Sequence, residues 1–353
     1  MRWTDWTRAQ LDAIRAAGQW RAPVPRDGLR NFASNDYLGL TQHATVIAAA
    51  HEALDKNGAG AGSARLVVGS RADHHALEDD LADWKHTERA VLFSTGYQAN
   101  LSVLTTFGTE DTRIVSDELN HASIIDGCRL SRAEVKVYRH GDVQQAAALI
   151  DGAKRCLVVT DSVFSMDGDV APLRELDELC ARTGSLLVID EAHAVMGPHD
   201  SLRSTHVRVG TLSKTLGSLG GFVAADASFC DLLVNRARPY IFTTASTPAD
   251  TAAARAALAV LRSPEGDALV AKLRGHVQRV RPGHPSPIVP VILGEEQAAL
   301  DAASFLAERG LLVPAIRPPT VAPGTSRLRI ALSAAHTDDE VSQLLQALCD
   351  LNA

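Results

Sequence analysis

Between Arg89 and Ala225 the chain sets down seven short apolar runs, RAVLFS, TRIVSD, AEVKVY, RCLVVTD, SLLVID, HVRVGTL and GGFVAA. Several are separated by stretches of helical periodicity such as APLRELDELCARTG. A strand that is apolar along its whole length is covered on both faces, and helices between such strands are the connections a parallel sheet needs. The pattern predicts an α/β fold built on a mostly parallel sheet. In open sheets of this kind the active site gathers at the carboxyl ends of the strands, so the residues that close each run carry the functional argument.

Outside this block the pattern is sparser. Trp3, Trp6, Leu11 and Ile14 form the apolar stripe of one expected helix, and GLRNFASNDYLGL follows as a short strand and turn. Such an arm holds no core of its own. After the helical stretch ADTAAARAALAVLRS, Pro264 and Gly266 mark a boundary, beyond which SPIVPVILG, DAASFLAERG, LLVPAIRPPT and SRLRIALS repeat a smaller cycle before a terminal helix. The expected organisation is an arm over residues 1–40, a large domain over 41–260 and a small α/β domain over 261–353.

The run SLLVID continues into Asp190-Glu191-Ala192-His193, the letters of a helicase metal-binding box. A nucleic-acid motor would need a phosphate loop, GxxxxGK[ST], to go with it. The nearest lookalike is VGTLSKTLGSLGG, where Ser213 rather than glycine precedes Lys214. A formal net charge of -7 and a pI near 6.0 also argue against a nucleic-acid partner. The five cysteines, Cys128, Cys156, Cys180, Cys230 and Cys349, are widely spaced and odd in number, which suggests neither a disulfide framework nor a metal site. No run approaches the roughly 18 apolar residues that span a bilayer, and the charged N-terminus lacks a secretory core. A cytoplasmic protein without a membrane partner is expected.

Asp190 and Lys214 each follow an apolar strand, which places an acid and an amine at one edge of a parallel sheet. Pyridoxal 5′-phosphate requires such a pair, a lysine to bond its aldehyde and a carboxylate to keep its ring nitrogen protonated. Its phosphate needs a third site. In STGYQANLSVL, Thr95 and Gly96 lie between a strand and a helix start, where free N–H groups favour a dianion, and Thr211 near the lysine offers a hydroxyl. Taken singly, each piece has a plainer reading, as a turn, a solvated lysine or a helix cap. Their order, each at a strand end, favours the cofactor.

The segments NFASNDYLGL, GAGSARLVVGS, LFSTGYQANL, DELNHASIIDGCRLS, VVTDSVFSMDGDVAPL, VIDEAH, GTLSKTLGSLGGF and IRPPTVAPGTSRLRI, in this order, resemble those of the α-oxoamine synthases. The resemblance covers nearly the whole chain. It implies the aspartate-aminotransferase type of fold, fold type I of pyridoxal-phosphate enzymes, with a mostly parallel large domain, a smaller C-terminal α/β domain and an N-terminal arm.

Carried over by position, the resemblance makes Lys214 the covalent anchor of the cofactor and Asp190 the partner of its ring nitrogen. His121 stacks on the ring, His193 bonds near the phenolic oxygen with Ser165 close by, and Gly96 and Tyr97 hold the phosphate through backbone amides, with Thr211 adding its side chain. Thr243 and Thr244 in IFTTAS reach the phosphate of a neighbouring subunit, which implies a homodimer with shared active sites. Arg329 holds the amino-acid carboxylate with help from Asn35, and Arg21 and Thr320 lie near the acyl substrate.

The reaction so implied is a decarboxylative condensation of L-alanine with a pimeloyl thioester, carried on coenzyme A or on an acyl carrier protein. RPPTVAPGTSRLR favours this branch over relatives that use glycine. A plain aminotransferase and a silent dimeric scaffold of the same fold are the rivals. Two features depart from the family pattern: Ala194 stands where glycine or serine is usual, and the segment over 197–205 is shorter than the customary loop.

Overall fold

The computed structural model describes residues 2–23, 25–196 and 201–351. All seven apolar runs are strands of one sheet, in the spatial order Arg89–Phe93, Gly221–Ala225, His206–Thr211, Leu186–Asp190, Arg155–Asp161, Thr112–Asp117 and Glu134–Tyr138. Neighbours are parallel except for Gly221–Ala225, which runs antiparallel to both strands beside it. The fold is therefore the α/β, mostly parallel architecture expected.

The adjacent strands Thr112–Asp117, Arg155–Asp161 and Leu186–Asp190 carry consecutive apolar residues because each feeds two cores, whereas the edge strand Glu134–Tyr138 buries only Tyr138. Ile114, Val159 and Val188 pack on one face with Ala99, Val103 and Ile124 from the helices Gly96–Phe107 and Ala122–Leu130. Their chain neighbours Val115, Val158, Leu187 and Ile189 pack on the other with Ala146, Leu176 and Leu179 from the helices Val143–Ile150 and Leu173–Thr183. The alternation is the period-two geometry of a strand. Each of these side chains contributes about 1.5–3 kcal/mol by leaving water, so a polar residue in place of any of them would cost a comparable amount.

The contacts divide the chain into two compact units, and the division does not follow the expected boundaries at 40 and 260. The larger comprises Ser34–Val289 and Ala331–Val341, and the smaller Met1–Ala33, Pro290–Ile330 and Ser342–Ala353. The arm joins the C-terminal unit because its strand Arg30–Asn31 pairs in parallel with Leu311–Leu312. Pro264 does not end the large unit; it opens the helix Pro264–Val280, a first-turn position that proline tolerates. A three-stranded sheet in the order Ala315–Ile316, Ser326–Ala331 and Ile288–Gly294 has all but Ile288, Val289 and Ala331 in the smaller unit.

The expected arm helix forms as Trp3–Ala16, and none of its residues is buried. The terminal helix is Asp338–Leu351. Among the described residues no helix is long and apolar enough to cross a membrane.

Candidate active site

Three elements of the larger unit meet around a cavity of about 230 Å³: the carboxyl ends of Leu186–Asp190 and His206–Thr211, and the start of Gly96–Phe107. Asp190, Lys214, His121, His193, Thr211, Gly96 and Tyr97 all line it. The sequence pattern thus gathers an acid, an amine, two imidazoles and a helix start into one space.

One end is built to receive an anion. The Thr95 side chain caps the helix by accepting from Gln98 N at 3.1 Å, and its carbonyl accepts from Ala99 N at 3.1 Å. The amides of Gly96 and Tyr97 are given no acceptor by the described residues. Two unspent N–H groups at the positive end of a helix dipole favour a phosphate. Glycine is required to bring the walls this close. A Cβ on Gly96 would lie 3.3 Å from Thr211 Cβ, and one on Gly221 would lie 2.5 Å from Gly96 N. Thr211 Oγ1 shares a hydrogen bond with Ser213 Oγ at 2.8 Å, so two hydroxyls border the same wall.

The other end is acidic. Asp190, 5% exposed, accepts from Ala192 N at 2.9 Å through one oxygen and from Asn100 Nδ2 at 2.6 Å through the other. These two donors fix the plane of the carboxylate. Asp161, its register partner on the next strand, accepts the His121 backbone N–H at 2.7 Å. Burial, and then the charge of Asp190, raise the Asp161 carboxyl well above the ordinary carboxylate range.

The histidines are held from opposite sides. His121 caps the helix Ala122–Leu130, and its Nδ1 meets Ser123 Oγ at 2.7 Å and Ser123 N at 3.2 Å. Burial lowers its pKa and the charge of Lys214 adds to this, while Asp190 opposes the shift. His193 Nδ1 lies 2.5 Å from the hydroxyl of the fully buried Tyr37, which also bonds Asn35 Oδ1 at 3.1 Å. Asn35 is thereby tied to His193 without lining the cavity itself.

Ser165, Thr243 and Thr244 do not line this cavity. Ser165 sits in the turn after Arg155–Asp161, and the Thr244 carbonyl accepts from Ser94 Oγ at 3.0 Å. In the smaller unit Arg21 Nη2 lies 3.5 Å from Thr320 Oγ1, which brings the two acyl-substrate candidates together. Arg329 is buried in the strand Ser326–Ala331. Ala194 N bonds the Glu191 carbonyl at 3.0 Å, and residues 197–200 of the shortened segment lie outside the described residues.

Asn100, Asp161, Ser213 and Tyr37 were not foreseen. Asn100 sits in TGYQANL, already singled out for its glycine, and Tyr37 in NDYLGL, already singled out for Asn35. No local signal set Asn100 apart, since the same helix also buries Ser102 and Thr106. The second acid of DEAH faces away from the chemistry: Glu191 is held by Lys85 Nζ at 2.7 Å and by Arg208, and all three side chains are buried. Burial lowers the Lys85 pKa and Glu191 counters it. Among the described residues no group of three or more metal-ligating side chains occurs.

Comparison with known proteins gives this geometry a context. The model of the aminotransferase class I and II family matches residues 28–348. The 8-amino-7-oxononanoate synthase of Anaeromyxobacter dehalogenans strain 2CP-1 is 48% identical over 98% of this chain and 94% of its own. That of Burkholderia cenocepacia strain HI2424 is 46% identical over 94% and 88%. Among solved structures, serine palmitoyltransferase of Sphingomonas wittichii superposes with a TM-score of 0.89 at 31% identity, covering 99% of this chain and 96% of its own. A serine palmitoyltransferase of S. paucimobilis with bound PLP and myriocin gives 0.88 at 28% identity, covering 99% and 97%. The 8-amino-7-oxononanoate synthase of Francisella tularensis gives 0.77 at 28%, covering 92% and 98%.

Proposed function

The chain belongs to the aminotransferase class I and II family, and from that membership we propose that it condenses L-alanine with a pimeloyl thioester. The products are 8-amino-7-oxononanoate, carbon dioxide and free thiol, so the chain is a pyridoxal-phosphate-dependent acyltransferase of biotin biosynthesis. The observation that carries this reading is the convergence of Lys214, Asp190 and the unspent amides of Gly96 and Tyr97 on one cavity. An amine, an acid and an anion site are the three features that the cofactor's aldehyde, ring nitrogen and phosphate need. The relatives named as 8-amino-7-oxononanoate synthases at 46–48% identity supply the choice of reaction.

When bound, the cofactor supplies an aldehyde that bonds to an amine and a cationic ring that draws electron density from the amino acid's Cα. The chain does the rest. Gly96 and Tyr97 amides with the Thr211 hydroxyl would hold the phosphate, Asp190 would keep the ring nitrogen protonated, and His193, steadied by Tyr37, would serve the phenolic oxygen. Lys214 would anchor the cofactor, and its amine would serve as the base for the amino acid's Cα proton. His121 would stack on the ring and position the thioester carbonyl. For the substrates, the resemblance assigns Arg329 and Asn35 to the amino acid's carboxylate, a planar guanidinium being suited to a bidentate bond, and Arg21 and Thr320 to the acyl donor. Holding both substrates in one site is where positioning contributes most.

Thr243 and Thr244 do not line this chain's own cavity, which accords with a homodimer in which they serve the other subunit's phosphate. A cytoplasmic location belongs to the same reading. The test is free-thiol release with L-alanine or glycine against pimeloyl, acetyl and succinyl thioesters. The reading expects L-alanine with the pimeloyl thioester to lead, whether the acyl group arrives on coenzyme A or on a carrier protein. Preference for glycine with the acetyl thioester would move the chain to another branch, and amino exchange without thiol release would make it a plain aminotransferase.

A further inference from the structure

Asn100 lies one turn inside the helix Gly96–Phe107 and is 2% exposed. Its Nδ2 is 2.6 Å from Asp190 Oδ2 and 2.9 Å from Ser123 Oγ, while its Oδ1 has no hydrogen-bond partner among the described residues. A buried amide leaves its carbonyl unpaired only when its donors are more strongly required. The carboxylate of Asp190 can only accept, so turning the amide over would set oxygen against oxygen. Both Asn100 protons are thereby committed, one to Asp190 and one to Ser123.

This fixes the sense of the next bond. Ser123 Oγ accepts from Asn100, so its single proton is free for His121 Nδ1 at 2.7 Å. The Ser123 backbone N–H points at the same nitrogen from 3.2 Å, and a backbone N–H cannot accept. His121 Nδ1 must therefore present its lone pair. The imidazole proton is left on Nε2, the nitrogen for which the described residues offer no acceptor, on a ring that lines the cavity.

We propose that Asn100 is a positioning residue: the hydrogen-bond chain Asp190, Asn100, Ser123, His121 holds His121 as its Nε2–H tautomer, a donor aimed at the acyl substrate's carbonyl oxygen. One charged side chain thus sets the direction of every bond up to the imidazole. The lowered pKa of His121 agrees with a neutral ring. What the N–H donates to rests on the function proposed above; the tautomer itself needs no cofactor.

Long-range nitrogen–proton NMR correlation on cofactor-free protein labelled with 15N-histidine reads the tautomer directly. The spectra are taken above a pH of about 8, where an ordinary histidine is neutral, and His121 is assigned by the signals lost in His121→Gln. The wild-type ring should show an unprotonated, hydrogen-bonded Nδ1 and a protonated Nε2. Asn100→Leu removes the donor to Ser123, and Ser123→Ala removes the hydroxyl. Each should move the Nδ1 signal toward the protonated position, and the second variant decides the matter if the first does not fold. A wild-type His121 protonated on Nδ1, or an unchanged signal in a folded variant, overturns the proposal. A protein with the expected tautomer that binds no cofactor instead overturns the function and leaves this inference standing. In the holoenzyme, Asn100→Leu should lower kcat about tenfold while leaving the KM for L-alanine within about twofold, a split expected when a bond made in the transition state is lost. A matching rise in the KM for L-alanine would overturn the role assigned to the N–H.

Discussion

Asp161 and Asp190 are register partners at the ends of adjacent parallel strands, so two buried acids reach the same edge of the sheet side by side. Asp190 lines the cavity that Lys214 also lines; Asp161 holds the His121 backbone. Two carboxylates this close do not both ionise without cost, and burial with the charge of Asp190 raises the Asp161 carboxyl.

The pH dependence of stability follows from that direction. An acid whose pKa is raised by folding keeps a proton that the unfolded chain gives up. Its contribution is fully present below the unfolded value, near 4 for an aspartate, and is lost as pH rises toward the folded one. Asp161→Asn keeps an oxygen for the His121 N–H and removes the ionisation. Thermal melts should show the variant gaining on the wild type as pH is raised from about 4 to about 7. A difference that shrinks over this range would contradict the assignment.

Asp190→Asn preserves shape but removes the charge proposed to pair with the ring nitrogen. Exchange of the alanine Cα proton with solvent deuterium, followed by mass spectrometry, should slow by roughly 10²- to 10³-fold, the usual loss when one preorganised electrostatic partner is deleted. Exchange at the wild-type rate would remove Asp190 from its role.

Gly221→Ala tests the anion end without removing a polar side chain. The added Cβ meets the backbone of Thr95 and Gly96 at 2.5 Å, so the helix start must shift. Fluorescence titration should show pyridoxal phosphate binding weakened at least about tenfold, equal to about 1.4 kcal/mol. Unaltered binding would mean that the phosphate is held elsewhere.

Glu191→Gln should remove the buried negative charge that Lys85 and Arg208 share. Breaking a buried ion pair from one side costs about 3–5 kcal/mol, visible as a lowered urea midpoint. Adding Lys85→Met should recover part of the loss. No change in the midpoint would show that the triad does not anchor the strand ends.

The sheet was legible because its strands are apolar on both faces; Val158 and Val159 serve different cores, so neither could be polar. The ends of those strands showed where Asp190 and Lys214 belong. Tyr37 and Asn100 escaped notice because their partners are distant in the chain: 156 residues separate Tyr37 from His193, and 90 separate Asn100 from Asp190. Nothing local marks a polar residue as one half of such a pair. The boundary at Pro264 misled for the opposite reason, since proline opens helices as well as ending them. Glu191 borrowed significance from the letters around it, and only the fold revealed its bond to Lys85.

The most direct test of the account is where the cofactor bonds. Borohydride reduction of the holoprotein, followed by proteolysis and mass spectrometry, should find the reduced cofactor's mass on the peptide that carries Lys214, and Lys214→Ala should abolish it. Cofactor mass on another lysine, such as the buried Lys85, or a holoprotein that yields no covalent adduct, would contradict the central claim.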